Sequence, residues 1–339
     1  MKKTALITGI SGQDGAYLAQ FLLKKNYRVI GADRRSARDN KWRLRYLNIE
    51  NKFEIVNIDL TEITSLIRLF EKYNFDEVYN LAAQSFVGTS FVNPIITAQA
   101  TAIGALNILE VIRNLRKKPK FYQASSSEMY GDVEKNFQNE FSKFNPQSPY
   151  AVSKVFAHQI TKNYRNSYNM FAVSGILFNH ESPLRGEEFI TRKITLGLSK
   201  ILASKLNCLE VGNIYAKRDW GFAGDYVEAM WKMLQQKKPD DYVIATGKTY
   251  DIKHFINTAT RYLKMKTKWV GSGLNEKLIN LENKKVIIKI NKKYFRPAEV
   301  NYLKGNYSKA KRKLKWKPKI NLKELVKIML KSDFENYGK

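Results

Sequence analysis

The first half of the chain alternates short runs of β-branched residues with longer segments in which apolar residues recur every three or four positions. The short runs predict strands, and the longer segments predict helices with one apolar face. The predicted strands cover residues 5–7, 28–30, 53–58, 77–79, 120–123 and 171–176, and the predicted helices cover 16–25, 66–73, 97–115 and 149–168. Strands that alternate with helices are typical of βαβ units, so we predict an α/β fold with a doubly wound parallel sheet of the Rossmann type.

After Leu177 the pattern loosens. A polar segment with glycine and arginine, residues 179–192, leads into an apolar helix and a short strand near Leu209. Residues 225–234 and 242–245 predict one more helix and strand, whereas 271–299 are rich in lysine and asparagine and give no clear pattern. We therefore expect a main domain of residues 1–177 plus about 222–250. A smaller, discontinuous C-terminal lobe would contain about 178–221 plus 251–339.

Composition narrows the class of protein. With 339 residues, 44% hydrophobic and 12% aromatic, the chain is long and apolar enough to fold around a sizeable core. No uninterrupted apolar run approaches the roughly 20 residues of a membrane-spanning helix. Cys208 is the single cysteine, so no internal disulfide can form, which favours a reducing cytoplasm.

The net charge of +28 raises the possibility of nucleic-acid binding. The lysines and arginines are spread along the chain, and no helix-turn-helix, zinc-finger or RNA-recognition pattern accompanies them. A basic surface that attracts small anions explains the charge better than a nucleic acid does. His158 and His254 have no second ligand at a metal-binding spacing, so no metal site is expected.

A glycine-rich segment, TGISGQDG at residues 8–15, lies between the first predicted strand and the first predicted helix. Glycines three residues apart allow a tight turn and let the backbone approach a pyrophosphate at the helix N-terminus. The second strand then ends at Asp33, which is followed by Arg34 and Arg35. Arginines here would hold the 2′-phosphate of NADP, which we favour, whereas Asp33 would bind a ribose hydroxyl and leaves NAD possible.

A second group of residues points to chemistry on a bound alcohol. Tyr150 and Lys154 lie four residues apart on a predicted helix, so they share a face, and the ammonium of Lys154 would lower the pKa of the Tyr150 phenol. Ser126 follows the fifth strand, where its hydroxyl can reach the same substrate oxygen. Glu128 adds a carboxylate, which a dehydratase needs to remove a carbon-bound proton and protonate a leaving hydroxyl.

These segments resemble the GDP-mannose 4,6-dehydratases, a family of extended short-chain dehydrogenases, over nearly the whole chain. Asn-His-Glu-Ser-Pro at residues 179–183 and Lys-Arg-Asp-Trp-Gly at 217–221 are more diagnostic than the glycine loop, because most relatives of this fold lack them. The resemblance also covers residues 8–15, 34–36, 81–85, 123–131, 148–154, 191–193, 225–227 and 296–300.

The resemblance implies a redox-neutral cycle on GDP-mannose. Tyr150, assisted by Ser126 and Lys154, would take the C4 hydroxyl proton while hydride passes to the nicotinamide. Glu128 would then remove the C5 proton as the C6 hydroxyl leaves, and return of the hydride to C6 gives a 4-keto-6-deoxy sugar.

The resemblance also implies which residues bind the ligands. Cofactor contacts would come from Gly9, Gly12, Gln13, Asp14, Gly15, Arg34, Arg35, Asp59, Leu60, Leu81, Ala83, Tyr150 and Lys154. The C-terminal lobe would bind the nucleotide sugar, with contacts from Asn179, Lys193, Arg218, Arg296 and Glu299, and Ser85 would contact it from the main domain. Residues 35–43 resemble a loop that reaches a neighbouring subunit, so a homo-oligomer, a dimer or a tetramer, is expected.

Three departures from the family pattern keep other substrates open. Phe86 and Phe222 stand where the family often has histidine, and Tyr215 stands where an acidic residue is common. A related substrate such as a GDP-heptose therefore remains an alternative, as does a nucleotide-sugar reductase or epimerase. A non-catalytic cofactor-binding scaffold is the remaining alternative from another class.

Overall fold

The computed structural model describes residues 2–133 and 137–337. Within that part of the chain the strands are β1 (Thr4–Thr8), β2 (Arg28–Asp33), β3 (Glu54–Asn57), β4 (Glu77–Asn80), β5 (Lys120–Ser126), β6 (Ala172–Leu177), β7 (His180–Glu181), β8 (Leu209–Val211), β9 (Lys217–Arg218), β10 (Gly221–Phe222), β11 (Asp241–Ile244), β12 (Tyr250–Asp251), β13 (Thr267–Val270), β14 (Lys277–Asn280) and β15 (Val286–Ile290).

The α-helices are α1 (Gln13–Lys24), α2 (Trp42–Tyr46), α3 (Ile63–Lys72), α4 (Val87–Val92), α5 (Pro94–Ala98), α6 (Gly104–Arg113), α7 (Pro149–Ser167), α8 (Ile190–Leu202), α9 (Ala223–Leu234), α10 (Ile252–Tyr262), α11 (Ser308–Leu314) and α12 (Leu322–Tyr337). A π-helical segment, Gln99–Ile103, joins α5 to α6. Short 3₁₀ helices occupy Ser127–Tyr130, Gly273–Asn275 and Lys292–Tyr294.

A seven-stranded parallel sheet forms the centre of the molecule, in the order β11-β6-β5-β4-β1-β2-β3. The strand order reverses direction around β1, which places the topological switch point between β1 and β4. Two apolar clusters cover the faces of this sheet, one that includes α1 and α9 and one that includes α3 and α6. The predicted doubly wound parallel fold is therefore confirmed.

The later part of the chain adds a second sheet of four strands, in the order β13-β14-β15-β8. It packs with α8, α10 and α12 around a separate apolar cluster. Residues 271–299, which gave no clear pattern, contain β14 and β15. Ala310, Leu314 and Trp316 join the main core, although the sequence placed them in the smaller lobe.

The helix that runs continuously from Pro94 to Arg113 is, among the described residues, long and apolar enough to cross a membrane by length and composition. Half of the residues in its most apolar stretch are buried, and its α6 part contacts α3 and α7. Polar residues such as Gln99 and Asn107 interrupt it, which is why the sequence showed no uninterrupted apolar run. Its burial is that of a core helix of the α/β fold.

Candidate active site

The glycine loop connects β1 to α1 and depends on residues without side chains. Gly9 has a φ of +69°, and a Cβ there would lie 3.0 Å from the backbone of Ala82. A Cβ on Gly15 would lie 2.3 Å from the carbonyl oxygen of Gly9. Gly12 caps α1 without a side-chain hydrogen bond, so the first N–H groups of the helix face the loop. This is the cradle that a pyrophosphate requires.

Gln13 and Asp14 point from this loop to the segment after β6. Asp14 Oδ2 lies 2.7 Å from His180 Nε2, and Gln13 Nε2 donates to the His180 carbonyl at 3.0 Å. The Ser182 hydroxyl donates to Gln13 Oε1 at 2.7 Å. Burial opposes the Asp14 and His180 charges, but their pairing dominates, so the pKa of Asp14 is lowered and that of His180 is raised. The two side chains therefore join the loop to residues 180–182.

The end of β2 opens into a cavity of about 290 Å³. Asp33, Arg34 and Arg35 line it, and both arginines are exposed. Asp33 is engaged by the protein itself, because its carboxylate accepts hydrogen bonds from the Ser11 hydroxyl and from the Arg34 backbone N–H, the latter at 2.9 Å. The wall of the cavity thus contains one carboxylate that is already hydrogen-bonded, Asp33, and two exposed cationic side chains, Arg34 and Arg35.

The loops after β3 and β4 complete the same edge of the sheet. The Leu81 backbone N–H donates to Thr8 Oγ1 at 3.1 Å, which ties the β4 loop to the end of β1. Asn107 Nδ2 donates to the Leu60 carbonyl at 2.8 Å, and hydrogen bonds from Thr61 lower the pKa of Asp59. Ala83 is half-buried between these loops, and Ser85 is exposed at the rim.

Ser126, Glu128, Tyr150 and Lys154 come together where β5 ends. Glu128 donates its backbone N–H to Ser126 Oγ at 3.2 Å, and the Ser126 hydroxyl is hydrogen-bonded to Tyr150. Ser148 caps α7, which fixes Tyr150 in the first turn of that helix. Glu128, Tyr150 and Lys154 are all buried. The structure therefore brings the four predicted catalytic residues into one cluster.

The protonation of Tyr150 differs from the sequence prediction. Burial raises its pKa to about 12, although the hydrogen bond from Ser126 acts in the opposite direction. Lys154 donates to the Ala124 carbonyl at 2.7 Å and lies 5.8 Å from the centre of the Tyr150 ring. Burial also lowers the pKa of Lys154 to about 8. The predicted lowering of the Tyr150 pKa by Lys154 is not seen here, because burial sets the direction of the shift and the largest opposing contribution comes from Ser126.

Three charged side chains of the smaller lobe, Arg218, Arg296 and Glu299, face the catalytic cluster. Arg218 Nη2 lies 3.0 Å from Glu299 Oε1, and Arg296 Nη1 lies 4.0 Å from the same oxygen. Arg296 Nη1 also lies 3.7 Å from Glu128 Oε1. Arg218 is buried, and that burial lowers its pKa. Three predicted substrate residues therefore stand directly beside the predicted catalytic carboxylate.

Asn179 lies just after β6, and Lys193 lies in the first turn of α8. Asn179 Oδ1 is buried and has no hydrogen-bond partner within the described protein, as expected of an acceptor that a ligand completes. Lys193 Nζ lies 3.4 Å from the centre of the Tyr294 ring, and burial lowers its pKa. Lys193 thus stands over an aromatic face at the start of α8.

Sequence reasoning missed Arg185 and the ring of Phe189 beside it. The Arg185 guanidinium lies 3.6 Å from the centre of the Phe189 ring, and Phe86 meets that ring edge-on at 5.5 Å. The positive charge of Arg185 acts to lower the pKa of Tyr150, so Arg185 lies near the catalytic cluster. Phe86 is thus part of a contact across the cleft. The polar, arginine-bearing composition of 179–192 was the available signal.

The other two departures have different surroundings. Phe222 packs edge-on against Tyr17 at 5.6 Å, which makes it part of the packing beneath the cleft. The Tyr215 hydroxyl donates to Glu276 Oε2 at 2.5 Å, on the side of the smaller lobe.

His158 contacts the Ser125 hydroxyl at 3.0 Å inside the core. No group of three or more metal-ligating side chains occurs in residues 2–133 and 137–337.

Solved structures with under 25% sequence identity share this fold. A dTDP-glucose 4,6-dehydratase from Streptomyces venezuelae with NAD and TYD bound superimposes with a TM-score of 0.84 at 18% identity, covering 99% of this chain and 98% of that chain. RMD from Pseudomonas aeruginosa complexed with NADPH gives a TM-score of 0.77 at 22% identity, covering 99% and 100%. At this identity the likeness establishes the fold alone.

Sequence comparisons are more specific. The chain is 48% identical over 343 residues to a GDP-mannose 4,6 dehydratase of Drosophila melanogaster, covering 98% of this chain and 86% of that protein. It is 48% identical over 351 residues to a GDP-mannose 4,6-dehydratase of Vibrio cholerae, covering 98% and 94%. The family model described as GDP-mannose 4,6 dehydratase matches residues 6–329. The chain therefore belongs to the GDP-mannose 4,6-dehydratase family.

Proposed function

We propose that this protein is a hydro-lyase that converts GDP-mannose to GDP-4-keto-6-deoxymannose. The observation that carries the proposal is the position of Glu128, a buried carboxylate next to both the Ser126–Tyr150 pair and Arg296. A simple alcohol dehydrogenase or reductase needs the hydroxyl pair and the lysine but has no use for an acid at this place. Family membership and the intact cluster together argue against a non-catalytic scaffold.

In this proposal each side chain moves or holds a proton at a defined sugar atom. Tyr150 takes the proton of the C4 hydroxyl as a phenolate, which its raised pKa makes the minor form before ligands bind, and Ser126 holds that oxygen in position. Glu128 removes the proton at C5 and passes it to the C6 hydroxyl, which leaves as water. C5 takes up a proton again when C6 is reduced, which balances the proton that Tyr150 took from the C4 hydroxyl. Arg218 and Arg296 bind the diphosphate by charge, with Asn179, Lys193, Ser85 and Glu299 as further contacts.

The glycine cradle fits a nicotinamide dinucleotide, because a Cβ at Gly9 or Gly15 would fill the space that its pyrophosphate needs. When bound, such a cofactor supplies a hydride acceptor at C4 and a donor at C6. We further propose that the cofactor is NADP, because Arg34 and Arg35 are exposed at the cavity wall, whereas the Asp33 carboxylate is already hydrogen-bonded. Titration should give at least tenfold tighter binding of NADP than of NAD, and Arg35→Ala should reduce that ratio. Tighter binding of NAD would contradict this assignment.

Mass spectrometry tests the activity directly. GDP-mannose incubated with the protein and a catalytic amount of NADP should lose the mass of one water, without net reduction of the cofactor. Glu128→Gln should not release water, because glutamine cannot accept the C5 proton. Full turnover by that variant would contradict the role of Glu128. Water loss only from a GDP-heptose would instead establish the alternative substrate.

We also propose that the protein forms a homo-oligomer, at least a dimer. Neighbouring helices α4, α5 and α7 expose large apolar side chains, with 78% of Val92 and 71% of Ile95 accessible, and Ile96, Val152 and Phe156 also exposed. Such a patch is unusual for a monomer and suits the self-complementary face of a twofold dimer. Light scattering should show a dimer or tetramer, and Ile95→Asp should dissociate it. A monomeric wild type would contradict the proposal.

We propose a cytoplasmic location, because the chain has a single cysteine, Cys208, and therefore no internal disulfide.

A further inference from the structure

Four charged side chains with no net charge meet between the catalytic cluster and the smaller lobe. Two are acids, Glu128 and Glu299, and two are arginines, Arg218 and Arg296. All are at least two-thirds buried, with side-chain exposures of 10% for Glu128, 8% for Arg218, 22% for Glu299 and 31% for Arg296. Charges held this far from water need partners, so the arrangement has to change when an anion enters.

The two arginines are not equally available to such an anion. Arg218 is fixed by two hydrogen bonds, to Glu299 Oε1 and to the Lys217 carbonyl, both at 3.0 Å. Arg296 has only long contacts, 3.7 Å to Glu128 and 4.0 Å to Glu299, which exceed the 2.7–2.9 Å typical of a charge-assisted hydrogen bond. It is also the most exposed member of the group. Arg296 is therefore the cation that is free to turn toward a diphosphate.

Glu128 depends on Arg296 more than Glu299 does. Glu299 has Arg218 as a second partner at hydrogen-bond distance. Glu128, by contrast, has Arg296 as the one cationic partner within 4.0 Å among the described residues. Any group that draws Arg296 away leaves the Glu128 carboxylate with only the more distant charge of buried Arg218.

We propose that Arg296 is a positioning residue for Glu128, and that the diphosphate of the substrate competes with Glu128 for it. This inference rests on the proposed function, because it requires a diphosphate to bind beside Glu128. Before binding, Arg296 holds the carboxylate by charge. In the complex the diphosphate takes over the guanidinium, and Glu128 faces the sugar without a cation in direct contact. With the guanidinium withdrawn, the carboxylate is free to take the C5 proton, which is the step that the proposed function assigns to Glu128.

Calorimetric binding of GDP tests the competition without turnover. Glu128→Gln removes the competing charge and should tighten GDP binding about fivefold, the size expected for a partly buried ion pair of this length. Guanosine, which lacks the diphosphate, should bind the variant and the wild type equally. In an Arg296→Gln background the same Glu128→Gln change should have no effect, because the shared arginine is gone.

Asp132→Asn is the matched control. Asp132 lies four residues from Glu128 and is bonded to Asn301 at 3.0 Å, so its removal should leave GDP affinity unchanged. Unchanged or weaker GDP binding by Glu128→Gln overturns the proposal, and so does an equal gain in the Arg296→Gln background, which would indicate simple repulsion. Glu128→Ala repeats the measurement should the glutamine variant not fold. A protein that shows the coupling but releases no water from GDP-mannose would contradict only the proposed function.

Discussion

Asp14→Asn tests the charge pair that joins the glycine loop to the segment after β6. Asp14 Oδ2 lies 2.7 Å from His180 Nε2, with 21% and 10% of the two side chains exposed. His180 Nδ1 keeps its 2.8 Å contact with the Phe178 carbonyl in the variant. Asparagine has the same size as aspartate and retains a neutral hydrogen bond. The substitution therefore removes a charge without opening a cavity.

The expected cost follows from the difference between charged and neutral hydrogen bonds. A hydrogen bond to a charged group contributes about 1.5–3 kcal/mol and a neutral one about 1 kcal/mol, so Asp14→Asn should lower the free energy of unfolding by about 0.5–2 kcal/mol. The variant should retain its fold, because the remaining bonds between Gln13 and residues 180–182 are untouched.

The shifted pKa values of Asp14 and His180 determine the pH range over which this pair stabilises the fold. The pKa of Asp14 is lowered from 3.8, so its contribution is present above that value and is lost as the pH falls through the lowered pKa. The pKa of His180 is raised from 6.5, so its contribution is present below 6.5 and is lost as the pH rises through the raised pKa. The pair should therefore stabilise the fold most between about pH 4 and pH 6.5.

Urea unfolding followed by circular dichroism at pH 6 and pH 9 measures the effect. Asp14→Asn should be less stable than the wild type at pH 6 and nearly equal to it at pH 9. His180→Gln is the control, since it removes the titrating partner and should abolish the added cost of Asp14→Asn. Equal destabilisation at both pH values would refute the reasoning, because the cost would then come from packing.

Three further predictions concern stability, loop position and substrate choice. Asp241→Ala leaves Arg165 without its two hydrogen bonds of 2.8 and 2.9 Å, so it should lower the free energy of unfolding by about 3 kcal/mol, measured by urea unfolding. Thr101→Val removes the acceptor of the Gln84 backbone N–H and should raise KM for GDP-mannose severalfold with a smaller change in kcat, measured by steady-state kinetics. Phe86→Ala should raise kcat/KM for a GDP-heptose relative to GDP-mannose, and an unchanged ratio in a competition assay would show that this ring does not face the sugar.

The parallel sheet was predictable because both of its faces are buried. A strand in such a sheet carries a continuous apolar run instead of an alternating one, and residues 5–7 and 171–176 show that pattern directly. The catalytic cluster was predictable for a related reason. Ser126 and Glu128 follow such a run, and side chains that follow parallel strands meet at the carboxyl edge of the sheet.

The second sheet was not predictable from local pattern. Lys277 and Lys289 face each other on adjacent strands and are exposed, so lysines interrupt the apolar signal of β14 and β15. The partner of β15 is β8, which lies far away in sequence, and its pairing leaves no trace in either segment. The π-helical turn at Gln99–Ile103 was missed because its sequence continues the helical pattern on both sides.

The glycine loop shows most clearly what a motif can and cannot establish. The sequence placed Gln13 and Asp14 in the loop before a helix predicted from residue 16, and the family resemblance implied that both contact the cofactor, whereas α1 begins at Gln13. In the structure these side chains bond to His180 and Ser182, more than 160 residues later. The cofactor loop and the first residues of the proposed sugar-binding lobe are therefore one hydrogen-bonded unit. Because these bonds join the two segments, the loss of Asp14 or of His180 should change the position of the loop relative to residues 180–182 as well as the stability of the fold.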